Sequence, residues 1–524
     1  MKFFSKLAKF PIFGILFGLF PLLALWNFNK TQVYPRDVWF SVLLTLGFTA
    51  AVWGICRLLY RSAVKASLAA VVVFTLFFSF GHVYNLVKDQ SILGMSVGFV
   101  KLLAVYGVML IGSLLLVRRL KPLSPSSVVV LNGIMLFLMF FNIIPIASYA
   151  IQKGDALSRE AQPAIASDVT GAGTEELADI YYIVLDAYSR QDLLLELMNY
   201  DNSAFINALG ERGFYVADCS NSNYSGTVLS MTSSLNYEYL EDIDAEADTN
   251  QSVSFSLINN RIRSDLKAYD YQFVTGRAFS SENDIPNSDI YLNVATDSGM
   301  QDKIAQSQFA HLYFETTLLR VPIELYYLDP QRFDILPGWL VLSDLGEDTF
   351  GYAAYWYHQT KYMFDSIEKF PLLEGNYFVY AHINAPHGPY VYDESGNYRF
   401  SEDPDKNLTD YTDTITFLNK RVLDMLDTII ENSSVPPLII LQSDHAAHVI
   451  ATAYDKHKIL NAYYFPPEMQ ASLYETITPV NTFRIILRDY FNQEIDLLPD
   501  KAFVKVLNDY EYYPSACDMS QPVK

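Results

Sequence analysis

The sequence predicts an α/β protein in two parts: a five-helix transmembrane region, then an extracytoplasmic domain with a mainly parallel central sheet flanked by helices. Three observations carry this. Long uncharged stretches fill residues 11–151 and then stop. From residue 180 onward, short apolar runs alternate with segments of helical spacing, the pattern of a parallel α/β sheet. Several of those runs end on Asp or His, and open α/β sheets bind ligands beyond the carboxyl ends of their strands.

The five candidate spans are Pro11 to Phe28, Val38 to Cys56, Ala66 to Val87, Ile92 to Val117 and Ser126 to Ile151. Each approaches or exceeds the roughly 18 to 20 apolar residues that cross a bilayer. Lys101 interrupts the fourth near one end, where its long stem can reach the interface. Loop charge sets the orientation, because Lys and Arg favour the cytoplasmic side. Lys2, Lys6 and Lys9 precede the first span. Arg57, Arg61 and Lys65 follow the second, and Arg118, Arg119 and Lys121 follow the fourth. The opposite loops carry only Lys30, Arg36 and Lys88. Five crossings that begin inside end outside, so the expected location is the inner (cytoplasmic) membrane, with the large domain periplasmic or extracellular. A cleaved signal peptide competes for the first stretch, but Trp26-Asn27-Phe28-Asn29 offers no small-residue cleavage site.

The expected domains are therefore 1–151, transmembrane; 152–176, a linker rich in Ala, Gly, Ser, Thr and acids; and 177–524, the outer domain. Formal net charge is −21, and many basic residues flank the spans, which leaves the outer domain strongly acidic. With no basic groove to neutralise phosphates, nucleic acid is not an expected partner. A bound cation can still draw an anionic substrate to such a surface. Of three cysteines, Cys56 falls in a span, while Cys219 and Cys517 fall where a disulfide would persist. Spacing alone leaves their pairing open.

Ile180-Tyr181-Tyr182-Ile183-Val184-Leu185 reads as the first strand and ends at Asp186. A helix over Phe205 to Arg212 leads through Gly213 to a strand at Phe214 to Ala217. After Tyr224-Ser225-Gly226, Thr227 opens a helix carrying Val228, Leu229, Met231 and Leu235. Later strands are Tyr377 to Ala381, Leu438 to Leu441 and Ile459 to Phe465. Thr416 to Glu431 has helical spacing, with Leu418, Val422, Leu423, Leu426 and Ile429 near one face. Residues 250–352 read as insertions and a subdomain.

The strand ends hold the chemistry. Pro437-Leu438-Ile439-Ile440-Leu441-Gln442-Ser443-Asp444-His445 delivers an adjacent carboxylate and imidazole from one strand. Taken alone, that pair also fits a turn whose Asp caps the next element. With Asp186 it forms a trio suited to zinc or manganese, which accept both carboxylate and imidazole. Thr227, at a helix amino terminus, would add a hydroxyl whose proton is acidified by the cation and the unpaired N–H groups; an ordinary helix cap is the alternative. His382 and His387 follow the strand ending at Ala381.

In this order, Asp at a first strand end, Asn-Tyr-x-x-Thr before a helix, a Pro-His-x-Pro segment and a late Asp-His, the chain resembles the alkaline phosphatase and sulfatase superfamily. Within it, the chain is similar to membrane-anchored phosphoglycerol and phosphoethanolamine transferases such as lipoteichoic acid synthase and lipid A phosphoethanolamine transferase. Asn223 to Ser230, His457 to Tyr464 and Pro479 to Arg484 are especially similar to a sulfatase-like bacterial branch. The resemblance implies an alkaline-phosphatase-like domain, with Thr227 the nucleophile that becomes phosphorylated and Asp186, Thr227, Asp444 and His445 the metal ligands. It also implies that His387, in Ala385-Pro386-His387-Gly388-Pro389, faces the substrate. His448 would support the site or a second ion; His382 is either a contact of the site or a packed strand-end histidine. The Cys/Ser-x-Pro-x-Arg setting of sulfatases is absent around Thr227, and Asp186 is followed by Ala187 rather than a second Asp. Sulfate-ester chemistry is thereby disfavoured, and a single divalent ion is expected.

The leading expectation is a metal-dependent transferase moving a phospho-alcohol group from a membrane lipid to an acceptor, a cell-envelope glycan or lipid, through a phospho-threonine intermediate. The alternatives are a phosphodiester or sulfate-ester hydrolase, and a non-catalytic lipid-binding regulator on the same fold. Donor head group, acceptor and oligomeric state are not written in these motifs.

Overall fold

A computed structural model of the chain describes residues 10–88, 91–92, 95–96, 98–158, 177–243, 250–294, 307–322, 352–399, 408–447, 452–506 and 509–518. The chain divides into two compact units. One combines Met1–Gln152 with Asp297–Tyr352, and the other combines Lys153–Thr296 with Ala353–Lys524.

The first unit is built on five apolar helices: α1 (Phe13–Phe28), α2 (Pro35–Tyr60), α3 (Ala63–Val87), α4 (Phe99–Arg119) and α5 (Pro125–Ser158). Helices α2 to α5 are long and apolar enough to cross a membrane; α1 has 16 residues. Large apolar side chains face outward, with Val108 at 73% and Phe137 at 67% exposure, an arrangement suited to lipid and not to water. Some polar groups pair between the helices: Phe13 N donates to Asn132 Oδ1 at 2.9 Å, and Trp53 Nε1 to Ser67 Oγ at 3.1 Å. Two sequence boundaries shift. The fourth helix starts at Phe99 instead of Ile92, because residues 91–92 and 95–96 pair as a short antiparallel ladder. The fifth runs through residue 158, into the expected linker. The rest of that linker lies outside the described residues.

This unit also takes in a segment from far along the chain. Helix α6 (Gln308–Thr316) packs on α2 and α3 with Phe309, Ala310, Tyr313 and Phe314 buried. Tyr313 Oη and Thr45 Oγ1 share a hydrogen bond of 2.8 Å, and Leu318 N donates to Phe77 O at 2.8 Å. The backbone of Glu315 and Thr316 approaches Gly81 so closely that no Cβ would fit there.

In the second unit, seven strands form one sheet: β1 (Ile180–Leu185), β2 (Tyr215–Val216), β3 (Tyr271–Gly276), β4 (Ile290–Leu292), β5 (Asn376–Ile383), β6 (Leu438–Gln442) and β7 (Asn461–Tyr464). Their spatial order is β2-β7-β6-β1-β5-β3-β4. β1 pairs in parallel with β5 and β6, and β3 with β4 and β5, while β7 runs antiparallel to β6 and β2. Tyr181, Ile183 and Leu185 enter one core, whereas Ile180, Tyr182 and Val184 enter the other. Such two-faced burial explains why β1 is a continuous apolar run and not an alternating one. Helix α7 (Leu408–Asn432) covers the first face with Ile415, Leu418, Val422, Met425, Leu426 and Ile429. Strands β3 and β4 come from the region read only as insertions, and β5 extends to Ile383, so His382 lies inside a strand and not after it. A separate hairpin, β8 (Lys501–Val506) with β9 (Asp509–Pro514), ends near Cys517, which is bonded to Cys219.

Replacing Gly81 with Leu should destabilise the first unit by about 1–3 kcal/mol through overpacking. Gly47→Leu, at a site with nothing within 4 Å, should not. Thermal melting of the detergent-solubilised protein checks both.

Candidate active site

The parallel register places the functional groups. Val184 stands opposite His382 on one side and Gln442 on the other, so the carboxyl ends of β5, β1 and β6 finish together. Asp186 follows β1, while Ser443, Asp444 and His445 follow β6. Asp186 N donates to Ile383 O at 3.0 Å, which fixes the turn. Ala187, next in sequence, has φ of 63°, a left-handed conformation that costs a non-glycine residue energy. That bend lets Ala187 N donate to Asp444 Oδ1 at 3.0 Å. Thr227 is the first residue of a helix spanning Thr227–Asn236 (α8), and Gly226 before it is extended.

Asp186, Asp444 and His445 each offer a ligand atom within 4.8 Å of the others. His445 Nε2 is 3.3 Å from Asp444 Oδ2, 3.7 Å from Asp186 Oδ1 and 3.3 Å from Thr227 Oγ1. His445 Nδ1 donates to the carbonyl of Ala446 at 2.9 Å, so Nε2 is the nitrogen that faces Asp186, Asp444 and Thr227. Asp186 and Asp444 are 3% and 0% exposed, and Asp186 Oδ1 and Asp444 Oδ2 are buried with no hydrogen-bond partner among the described residues. Both carboxylates belong to the group with His445, and a divalent ion among the three would satisfy those oxygens. The donor set of carboxylates, imidazole and hydroxyl fits zinc or manganese.

His382 Nε2 is 3.4 Å from Asp186 Oδ2 and 4.0 Å from Asp444 Oδ2. His387 Nδ1 donates to Gly388 O at 2.7 Å, and its ring centroid is 6.4 Å from that of His445. Burial by itself would raise the Asp186 carboxyl, but His387, His382 and His445 together hold it well below the usual carboxylate range. For His382, burial pulls the imidazole down, and the Asp186 and Asp444 carboxylates more than reverse that. The structure thus brings together Asp186, Thr227, Asp444 and His445, with His382 and His387 beside them. His448 lies outside the described residues.

Sequence reasoning gave no role to His457. It is fully buried, its Nδ1 donates to Ser222 O at 2.8 Å, and its Nε2 has no hydrogen-bond partner among the described residues. It sits in a single 3-10 turn, Asp455–His457, and only its contact with the segment before Thr227 reveals it. Burial pushes this imidazole down from 6.5 to about 4. The unfolded chain takes the proton near the first value and the folded chain only near the second. Stability is therefore full above 6.5 and falls as pH drops towards 4, by about 3 kcal/mol. In chelator-treated protein, His457→Gln should flatten this stretch of the stability profile, measured by urea unfolding against pH.

No curated protein sequence matches the chain. Residues 281–485 match the family model described as Sulfatase, a stretch that includes His382, His387, Asp444, His445 and His457. Among solved structures, the lipooligosaccharide phosphoethanolamine transferase A (EptA) of Neisseria meningitidis is similar at 9% identity and TM-score 0.35, over 91% of this chain and 94% of that one. The C-terminal periplasmic domain of phosphoethanolamine transferase EptC from Campylobacter jejuni is similar at 12% identity and TM-score 0.36, over 62% and 92%. The corresponding domain of EcEptC from Escherichia coli is similar at 10% identity and TM-score 0.36, over 61% and 84%.

Proposed function

We propose that this chain is a membrane-anchored, metal-dependent transferase. It moves a phospho-alcohol group, of phosphoglycerol or phosphoethanolamine type, from a membrane lipid to a hydroxyl on a cell-envelope glycan or lipid. The catalytic domain, residues 177–524, works on the outer side of the inner membrane. One observation carries the reading: Thr227 Oγ1, at the first residue of a helix, is 3.3 Å from His445 Nε2, beside two buried carboxylates. A hydroxyl so placed is a nucleophile in waiting, because the helix amino terminus favours its anionic form.

Asp186, Asp444, His445 and Thr227 would hold the ion. When bound, it supplies positive charge that acidifies the Thr227 hydroxyl and offsets charge building on phosphoryl oxygens. Thr227 Oγ, its proton lost to solvent, forms a bond to phosphorus as the bond from phosphorus to the lipid oxygen breaks. His387 fits the role of acid: its Nδ1 proton is committed to Gly388 O, so Nε2 is the nitrogen that hands a proton to the departing diacylglycerol. In the second half-reaction the same nitrogen takes the proton of the acceptor hydroxyl, whose oxygen attacks phosphorus and releases Thr227. His382, against Asp186, holds that carboxylate in place. The acidic outer domain is consistent with this use of a cation to draw in the phosphate.

With vesicles of phosphatidylethanolamine or phosphatidylglycerol, mass spectrometry should find a covalent adduct on Thr227 whose mass identifies the group carried. Thr227→Ala should lose turnover by at least about a thousandfold, as removal of a nucleophile does. Full activity of that variant would sink the reading. His387→Gln should slow turnover by about 10²–10⁴-fold, the usual worth of a general acid, in a single-turnover assay of diacylglycerol release.

A further inference from the structure

The residues that lead into Thr227 are held from outside the sheet. Asn223 is fully buried, and three of its groups are engaged: Nδ2 donates to Lys501 O at 2.7 Å, Oδ1 accepts from Val480 N at 2.9 Å, and the carbonyl accepts from Phe503 N at 2.7 Å. Tyr224 lies flat on Phe503, with ring centroids 4.9 Å apart and planes 7° from parallel. Tyr239 meets the same ring edge-on at 5.1 Å, and Val228, the residue after Thr227, belongs to the same apolar cluster. Earlier in the segment, Asn221 Nδ2 donates to Ser515 Oγ at 3.0 Å and Ala516 O at 2.8 Å, and Cys219 is bonded to Cys517. Arg190 spans both strands of this contact, reaching Ser220 O at 3.0 Å and Cys517 O at 2.8 Å.

Partners alternate along the segment. Cys219, Asn221 and Asn223 face the carboxyl-terminal residues, whereas Ser220 reaches Ile477 O and Ser222 pairs with His457. The loop is thereby clamped from both sides. β8 and β9 form a two-stranded sheet of their own, which would be marginal in water without these contacts.

We propose that the carboxyl-terminal hairpin is a strap that holds the Thr227 loop in reactive position, with the Cys219–Cys517 disulfide as its latch. Asn223 and Phe503 are positioning residues: they act on Thr227 through the backbone that precedes it. The proposal rests on the reading of Thr227 as the attacking residue. A loop freed to shift by an ångström or so would lose much of the benefit of a fixed nucleophile.

Hydrogen–deuterium exchange on the full chain in detergent tests this without reference to turnover. In the double variant Cys219→Ser, Cys517→Ser, amides of residues 222–230 should exchange about tenfold faster or more, while β1 and β6 keep their protection. Phe503→Ala should do the same, and Phe503→Tyr, which keeps the ring, should not. Unchanged exchange at 222–230 overturns the strap, as does equal loosening of β1. On phosphatidylethanolamine or phosphatidylglycerol vesicles, kcat of the double variant should fall by about 10- to 100-fold with KM unchanged. A loosened loop with undiminished kcat also overturns it. If native protein turns over neither lipid, the transferase reading fails while the exchange data still judge the strap.

Discussion

The parallel pairing of β1 between β5 and β6 is the constraint on which the candidate site depends. Its register decides which residues emerge together, because a slip of one residue would turn each side chain to the opposite face. With Val184 level with His382 and Gln442, the two carboxylates and their imidazoles meet at the carboxyl ends of three interior strands. The register is secured by burial on both faces, with Ile180 through Leu185 all fully enclosed. Each such side chain contributes about 1.5–3 kcal/mol relative to exposure. Apolar packing thus provides the rigidity, and the polar groups are carried on it.

Those polar groups are arranged against their own comfort. Two carboxylates sit side by side with almost no solvent, and His445 turns Nε2 towards them while Nδ1 donates to Ala446 O. Backbone donors satisfy only one oxygen of Asp444, through Ala187 N and His445 N. The other oxygen is left bare, as is one of Asp186. Carboxylates so enclosed are suited to a positive partner, from the neighbouring histidines or from a divalent ion. The left-handed turn at Ala187 adds to the strain and appears where the carboxylates must converge.

How much of this was legible in the sequence follows from the range of the interactions involved. β1 and β6 are continuous apolar runs bounded by polar residues, so their ends, and hence Asp186, Asp444 and His445, could be placed from local pattern. Thr227 was marked by the glycine before it and the helical spacing after it. β3 was missed because Tyr271-Gln272-Phe273-Val274-Thr275-Gly276 mixes polar residues into a short run, and its strand character comes from pairing with β5 and β4. β5 was ended at Ala381 because a histidine followed, whereas pairing with β1 carries the strand through His382 to Ile383. His457 and the Cys219–Cys517 bond depend on contacts across 235 and 298 residues, which no local pattern reports.

The placement of α6 has a practical consequence for anyone who wishes to study the soluble part alone. Residues 297–352 fall between β4 and β5 in sequence, yet they belong to the compact unit of the amino-terminal helices. A fragment beginning after the linker would keep Phe309, Tyr313 and Phe314 and lose α2 and α3, the helices that shelter them. Secretion of such a fragment would present bare aromatic surface to water, an invitation to aggregate. Excising the excursion with a short bridge, as well as trimming the amino terminus, is the cut that respects how this polypeptide sorts its own parts.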